Sequence, residues 1–147
     1  MSGTDTESLI AKGIRAVNSG KTALALECFE EAVKQRSTPA SWSYLAFCLA
    51  REKRQFDHAI HLCQEAIRSD PHSSIHYLNL GRVYLMAGRR EESIRIFRQG
   101  LLYEANAHIE GELRKIGMRK APVISFLKRD NPINKYLGIF LKKLRVR

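Results

Sequence analysis

The stretch YLNLGRVYLMAGRREESIRIFRQGLLYEANA, Tyr77 to Ala107, decides the fold. Its first half places Tyr77, Leu80, Gly81 and Tyr84 at steps of three, four and seven, one face of a helix, and then reaches Gly88. A glycine just past the last periodic residue suits a left-handed helix end. Its second half repeats the device with Ser93, Ile94, Phe97, Gly100 and Leu101, whose spacing is again helical. Two amphipathic helices joined by a short turn make a hairpin that cannot bury its apolar face alone.

Moving outward by 34 residues finds the same hairpin twice more. Ala25, Ala59 and Ser93 fall in one column, Leu26, Ile60 and Ile94 in the next. Phe29, Cys63 and Phe97, then Ala32, Ala66 and Gly100, then Val33, Ile67 and Leu101 complete the stripe. The upstream helix repeats as Trp42, Leu45, Ala46 and Leu49, and as Leu9, Lys12, Gly13 and Ala16. Lys12 interrupts the apolar pattern, its stem placed to lie along the core edge with the ammonium in water. The middle copy runs one residue early, so its Arg51–Gln55 connection is expected to hold one extra residue. Gly20 and Gly88 end the first helix in the outer copies. Gly13, Ala46 and Gly81 stand where a neighbouring helix would collide with a larger side chain. A repeat of this length implies stacked units sharing one continuous core.

The pattern of a large residue, Leu, Gly and Tyr, followed by Gly, Ala, Phe and Ala with Asp70-Pro71 closing the middle copy, resembles the tetratricopeptide-repeat (TPR) family. The resemblance implies an all-α chain of three tandem helix-turn-helix repeats, at about residues 6–38, 39–73 and 74–107. A capping helix at 107–117, with Ile109, Leu113 and Ile116 as its apolar stripe, would close a TPR domain of residues 6–117. As in the family, the whole is expected to form a right-handed superhelical α-solenoid, followed by a C-terminal helical extension at 118–147.

In this family the first helices of successive hairpins line a concave groove that holds ligands. The matching positions here are Ile10, Ile14 and Val17, then Ser43, Tyr44, Phe47 and Arg51, then Leu78, Asn79, Arg82 and Met86. Ile14, Tyr44, Phe47 and Leu78 would make an apolar floor, with Arg51, Asn79 and Arg82 as polar anchors. Such a mixture suits an amphipathic helix or an extended peptide. The plainer alternative is that Phe47 and Leu78 pack on each other with no ligand. Domains of the family that hold the acidic tail of heat-shock chaperones carry Lys and Asn where this chain has Ile10 and Ile14, which argues against that partner.

Charge divides the chain. The formal net charge is +10, yet residues 1–37 hold five bases and five acids and residues 38–73 four of each. Residues 108–147 hold eleven bases and three acids. Within this basic extension Asn131-Pro132 reads as a helix start. Ile133, Tyr136, Leu137, Phe140, Leu141 and Leu144 then share one face. Lys135, Lys142 and Lys143, with Tyr136 and Phe140, are its contact candidates. Three readings compete: the helix folds back on the repeats, it attaches to an anionic membrane surface, or it binds nucleic-acid phosphates. Exchange between copies would make a homo-oligomer.

Other classes find little support. No run approaches the ~18 apolar residues of a membrane span, and the polar start Met1–Ser8 lacks a signal pattern, so the expected compartment is cytoplasmic. Cys28, Cys48 and Cys63 form no Cys-x-x-Cys pair and each sits among apolar residues. His58 and His61 lie three apart on an outer face, and His72 and His76 flank a turn, without the converging ligands a metal needs. Arg89-Arg90-Glu91-Glu92 reads as a solvated charge run. No phosphate loop, nucleophile elbow or catalytic pair appears. The expectation is therefore a non-enzymatic scaffold for a protein or peptide partner, with no cofactor and no metal.

Overall fold

A computed structural model describes residues 2–117, and the extension with its contact candidates Lys135, Tyr136, Phe140, Lys142 and Lys143 lies outside them. Among the described residues there are seven helices and no strand. They are α1 (Ser2–Asn18), α2 (Thr22–Gln35), α3 (Pro39–Lys53), α4 (Phe56–Ser69), α5 (Ser74–Met86), α6 (Arg90–Tyr103) and α7 (Ala107–Gly117). Consecutive pairs are the hairpins read from the repeat, so the architecture is an all-α solenoid of helix-turn-helix units. Residues up to Glu110 make one compact unit and a second begins at Gly111. In the second, Gly111–Gly117 continue α7, with Leu113 and Ile116 half-buried along it. No described helix is long and apolar enough to cross a membrane.

The columns become the core. Ala25, Ala59 and Ser93 are all fully buried, as are Phe29, Cys63 and Phe97, and Ala32 and Ala66. Burying a phenylalanine side chain is worth about 1.5–3 kcal/mol, so Phe29 and Phe97 dominate their repeats. Their rings leave no room opposite. A Cβ added to Gly13 would lie 2.6 Å from Phe29 Cζ, and one added to Gly81 would lie 2.1 Å from Phe97 Cε1. The middle repeat solves the same contact differently. Ala46 has a Cβ and Cys63 has no ring, and both are completely buried in one cluster.

The turns follow the sequence and depart from it once. Gly20 and Gly88 adopt φ of 75° and 77°. In both turns the next amide reaches back five residues, Lys21 N to Ala16 O and Arg89 N to Tyr84 O, each at 2.8 Å. The glycine amides bond Val17 O and Leu85 O as well, and this double-bonded ending satisfies carbonyls that the helix itself leaves open. The middle turn carries the extra residue. There Arg54, at φ 51°, takes the left-handed position five residues past Leu49. Its amide and that of Gln55 both point at Leu49 O.

Three helix starts, those of α3, α5 and α7, are held by side chains. Thr38 and Ser41 form a reciprocal capping box at α3, with Pro39 in the first turn. Ser73 caps nothing at α5. Instead Glu104 Oε1, from the end of α6, accepts the Ser74 amide and hydroxyl, each at 2.6 Å. Those two bonds hold the Glu104 carboxyl below the usual carboxylate range. Asn106 Oδ1 accepts the amides of His108 and Ile109 to start α7, while its Nδ2 donates to Ser74 Oγ at 2.9 Å.

Candidate functional site

The candidate groove positions come from α1, α3 and α5, and the repeat places them at equivalent points of each hairpin. Ile10, Ile14 and Val17 are half-buried and pack against a cluster that includes Tyr44, Phe47 and Cys48. Arg51 is exposed, and Arg82 and Met86 are half-buried. The expected floor is more deeply set: Tyr44 is 8% exposed, Phe47 9% and Leu78 2%. Tyr44 stacks on Phe29 with centroids 5.2 Å apart and planes 5° apart, joining two repeats. The Arg82 guanidinium lies over the Phe47 ring, 5.6 Å from its centroid, tying α5 to α3. Such a pair contributes about 0.5–1 kcal/mol where exposed and more where desolvated. Burial pushes the Tyr44 phenol up, and Arg82 partly offsets it.

Ser43 and Asn79 are fully buried, and they belong to a polar chain the sequence reading did not identify. Asn79 Nδ2 donates to Ser43 Oγ at 3.1 Å. On the other side of that hydroxyl, His76 Nδ1 lies 3.1 Å away. His76 Nε2 faces Asp70 Oδ2 at 3.3 Å. The imidazole is almost wholly buried while Asp70 is half exposed. Burial pulls the His76 pKa down, and Asp70 and Glu104 only partly oppose it. A lone histidine after a turn reads as surface; the usable signal was its position immediately before Tyr77, in the buried part of the repeat.

The remaining candidates stay apart from chemistry. Among the described residues no three His, Cys, Asp or Glu side chains gather to hold a metal, and His58, His61 and His72 are exposed. The three cysteines are free and buried, and burial pushes the Cys48 thiol up to about 12. At the start of α6, Arg89 Nε donates to Glu92 Oε1 at 2.7 Å, an ion pair within the charge run.

Two sequence families described as tetratricopeptide repeat match the chain, one over residues 10–54 and the other over 50–113. No curated protein matches it in sequence. Solved structures match the fold. The first TPR of Spaghetti (RPAP3), bound to HSP90 peptide SRMEEVD, is 22% identical, with TM-score 0.61, over 78% of this chain and 94% of that one. The second TPR domain of human RPAP3, in complex with HSP70 peptide SGPTIEEVD, is 22% identical, with TM-score 0.59, over 79% and 98%. The Arabidopsis OM64 TPR domain is 24% identical, with TM-score 0.61, over 79% and 99%.

Proposed function

Because the chain belongs to the tetratricopeptide-repeat family, we propose that it is a non-enzymatic scaffold whose α1, α3 and α5 seat a peptide or partner helix. The observation that carries this reading is the Arg82–Phe47 contact between successive first helices. It sets a cation over an aromatic ring, with half-buried Ile10, Ile14, Val17 and Met86 nearby in the core clusters and Arg51 exposed. A partner completing the burial of these side chains gains apolar contact and finds guanidinium donors at the edge. Structural relatives captured with peptides support a peptide-sized occupant. The isoleucines at 10 and 14 favour an apolar partner over an acidic chaperone tail. Free, buried cysteines suit a reducing compartment such as the cytosol.

A random-peptide display library panned against the full chain tests the reading. Selected peptides should lose at least tenfold in affinity, about 1.4 kcal/mol, on Arg82→Glu or Met86→Glu. Peptides that bind Arg51→Glu, Arg82→Glu and Met86→Glu as tightly as the parent would overturn it.

A further inference from the structure

Parts of α3 and α5 are buried on every side. From Ser43 to Ala50 each residue of α3 is buried, and so is each residue of α5 from His76 to Gly81. Both runs exceed one helical turn, so they take in the whole circumference. The second helices differ: His61, Gln64 and Arg68 stand exposed along α4, and Arg95, Arg98 and Gln99 along α6. In a stack of hairpins the first helices form one layer and the second helices the other, which leaves the inner side of the first layer open. The helices in broad contact with α3 are α2, α4 and α5, and with α5 they are α3, α4 and α6. Together these close the flanks and the outer side. On the inner side the groove positions Phe47 and Leu78 are nonetheless only 9% and 2% exposed.

Residues 118–147 lie outside the described residues, and their sequence carries a surface of the matching kind. Ile133, Tyr136, Leu137, Phe140, Leu141 and Leu144 fall on one side of a helical wheel, with Lys135 and Lys142 opposite. A helix over 131–147 would measure about 25 Å. Three first helices set about 8–10 Å apart present a face of about the same width. Residues 118–130 reach about 40 Å when extended, enough to cross it. We propose that residues 131–147 of the same chain occupy the inner side of the first helices, apolar face inward, so that a partner helix must displace them.

Tethering favours this occupant over a free one. A segment held by a short linker is present at an effective concentration on the order of millimolar, so a weak apolar contact is enough to keep it seated. Six large apolar side chains on one face meet half-buried Ile10, Ile14, Val17 and Met86, and both surfaces leave water together. Lys135 and Lys142 stay in water on the far side, so added salt leaves the contact in place. A partner gains the groove only by supplying a better apolar face than the resident one.

The inference deepens the groove reading and rests on it, but its first test uses the full chain without a partner, so the two fail separately. Lys142→Cys accepts a nitroxide label selectively, because Cys28, Cys48 and Cys63 are buried. Paramagnetic broadening should weaken the amide NMR signals of Ile14, Arg51 and Met86 on the first helices and spare His61, Gln64 and Arg98 on the second. Leu137→Glu with Phe140→Glu should abolish that broadening, with the Phe29 and Phe97 signals unmoved as the check that the repeats stay folded. Peptides selected on the groove should bind the doubly substituted chain at least tenfold more tightly than the parent. Broadening on the second helices instead, broadening that survives the two glutamates, or unchanged peptide affinity overturns the proposal. Broadening passed from a spin-labelled chain to an isotope-labelled one in a mixture also overturns it, since a second copy is then the occupant. Peptide binding with no broadening at all sinks the docking and leaves the groove reading standing.

Discussion

Exchanging the ring-and-glycine contact of the third repeat for the alanine-and-cysteine contact of the second tests how these helices are fitted. Gly81→Ala alone puts a methyl 2.1 Å from Phe97 Cε1 and 2.4 Å from Cδ1, against a comfortable carbon separation near 3.5–4 Å. Phe97 is completely buried, so its ring cannot swing into solvent. Overpacking of this kind costs about 1–3 kcal/mol, occasionally more. Alanine's helical propensity returns about 1 kcal/mol. A net loss of up to about 2 kcal/mol follows. Phe97→Cys alone leaves a cavity and should cost about 3 kcal/mol. In the double variant the clash is gone and the propensity gain remains. The pair should therefore be more stable than the sum of its parts by about 2 kcal/mol. Urea unfolding of the four proteins, with equal m-values confirming a common transition, measures this coupling. Additivity within about 0.5 kcal/mol, or a Gly81→Ala protein more stable than its parent, would refute the account.

Stability should fall in mild acid, because folding lowers the His76 pKa from its ordinary 6.5. That contribution is complete above the unfolded value and is lost as pH drops through it toward the folded one; Asp70→Asn should make the loss larger, read as the urea midpoint against pH. Arg54→Gly should raise stability by about 0.5 kcal/mol, a left-handed penalty of about 1–2 kcal/mol offset by glycine's unfolded-state entropy and the lost stacking on Phe56. Gly88→Ala should instead lower it, and equal effects at the two sites in thermal melts would contradict the turn geometry. Asn106→Ala removes the α7 cap and the bond to Ser74, and should cost about 1 kcal/mol within the usual 0.5–2 range. A chemical-denaturation midpoint unmoved by that change would show the cap to be idle.

Most of the fold was legible because packing writes itself into spacing. The columns through Phe29, Ala32, Ala59 and Phe97 are core residues, and Gly13 and Gly81 face rings as their size demanded. The extra residue before Gln55 is where the register shift required it, but nothing about an arginine announced a left-handed backbone at Arg54. The candidate groove was less legible. Helical spacing assigns Tyr44 and Phe47 to a face, yet cannot say that Tyr44 stacks on Phe29 in the preceding repeat. The chain from Asp70 through His76 and Ser43 to Asn79 joins residues up to 36 apart whose types are commonest on surfaces. Its burial depends on how two hairpins meet, which no local pattern encodes.

The clasp at Ser74 also bears on how the protein is made. Glu104 and Asn106, holding the start of α5, follow it by 30 and 32 residues, and among the described residues the helix pairs in broad contact are neighbours or next neighbours. Synthesis adds about 5–20 residues each second, so Glu104, at the end of the same hairpin's second helix, and Asn106 just beyond it leave the ribosome only seconds after Ser74. The start of α5 is thus closed by the far end of its own hairpin and the link just beyond it, so this hairpin can settle soon after it emerges without holding that helix end open for a distant stretch of polypeptide.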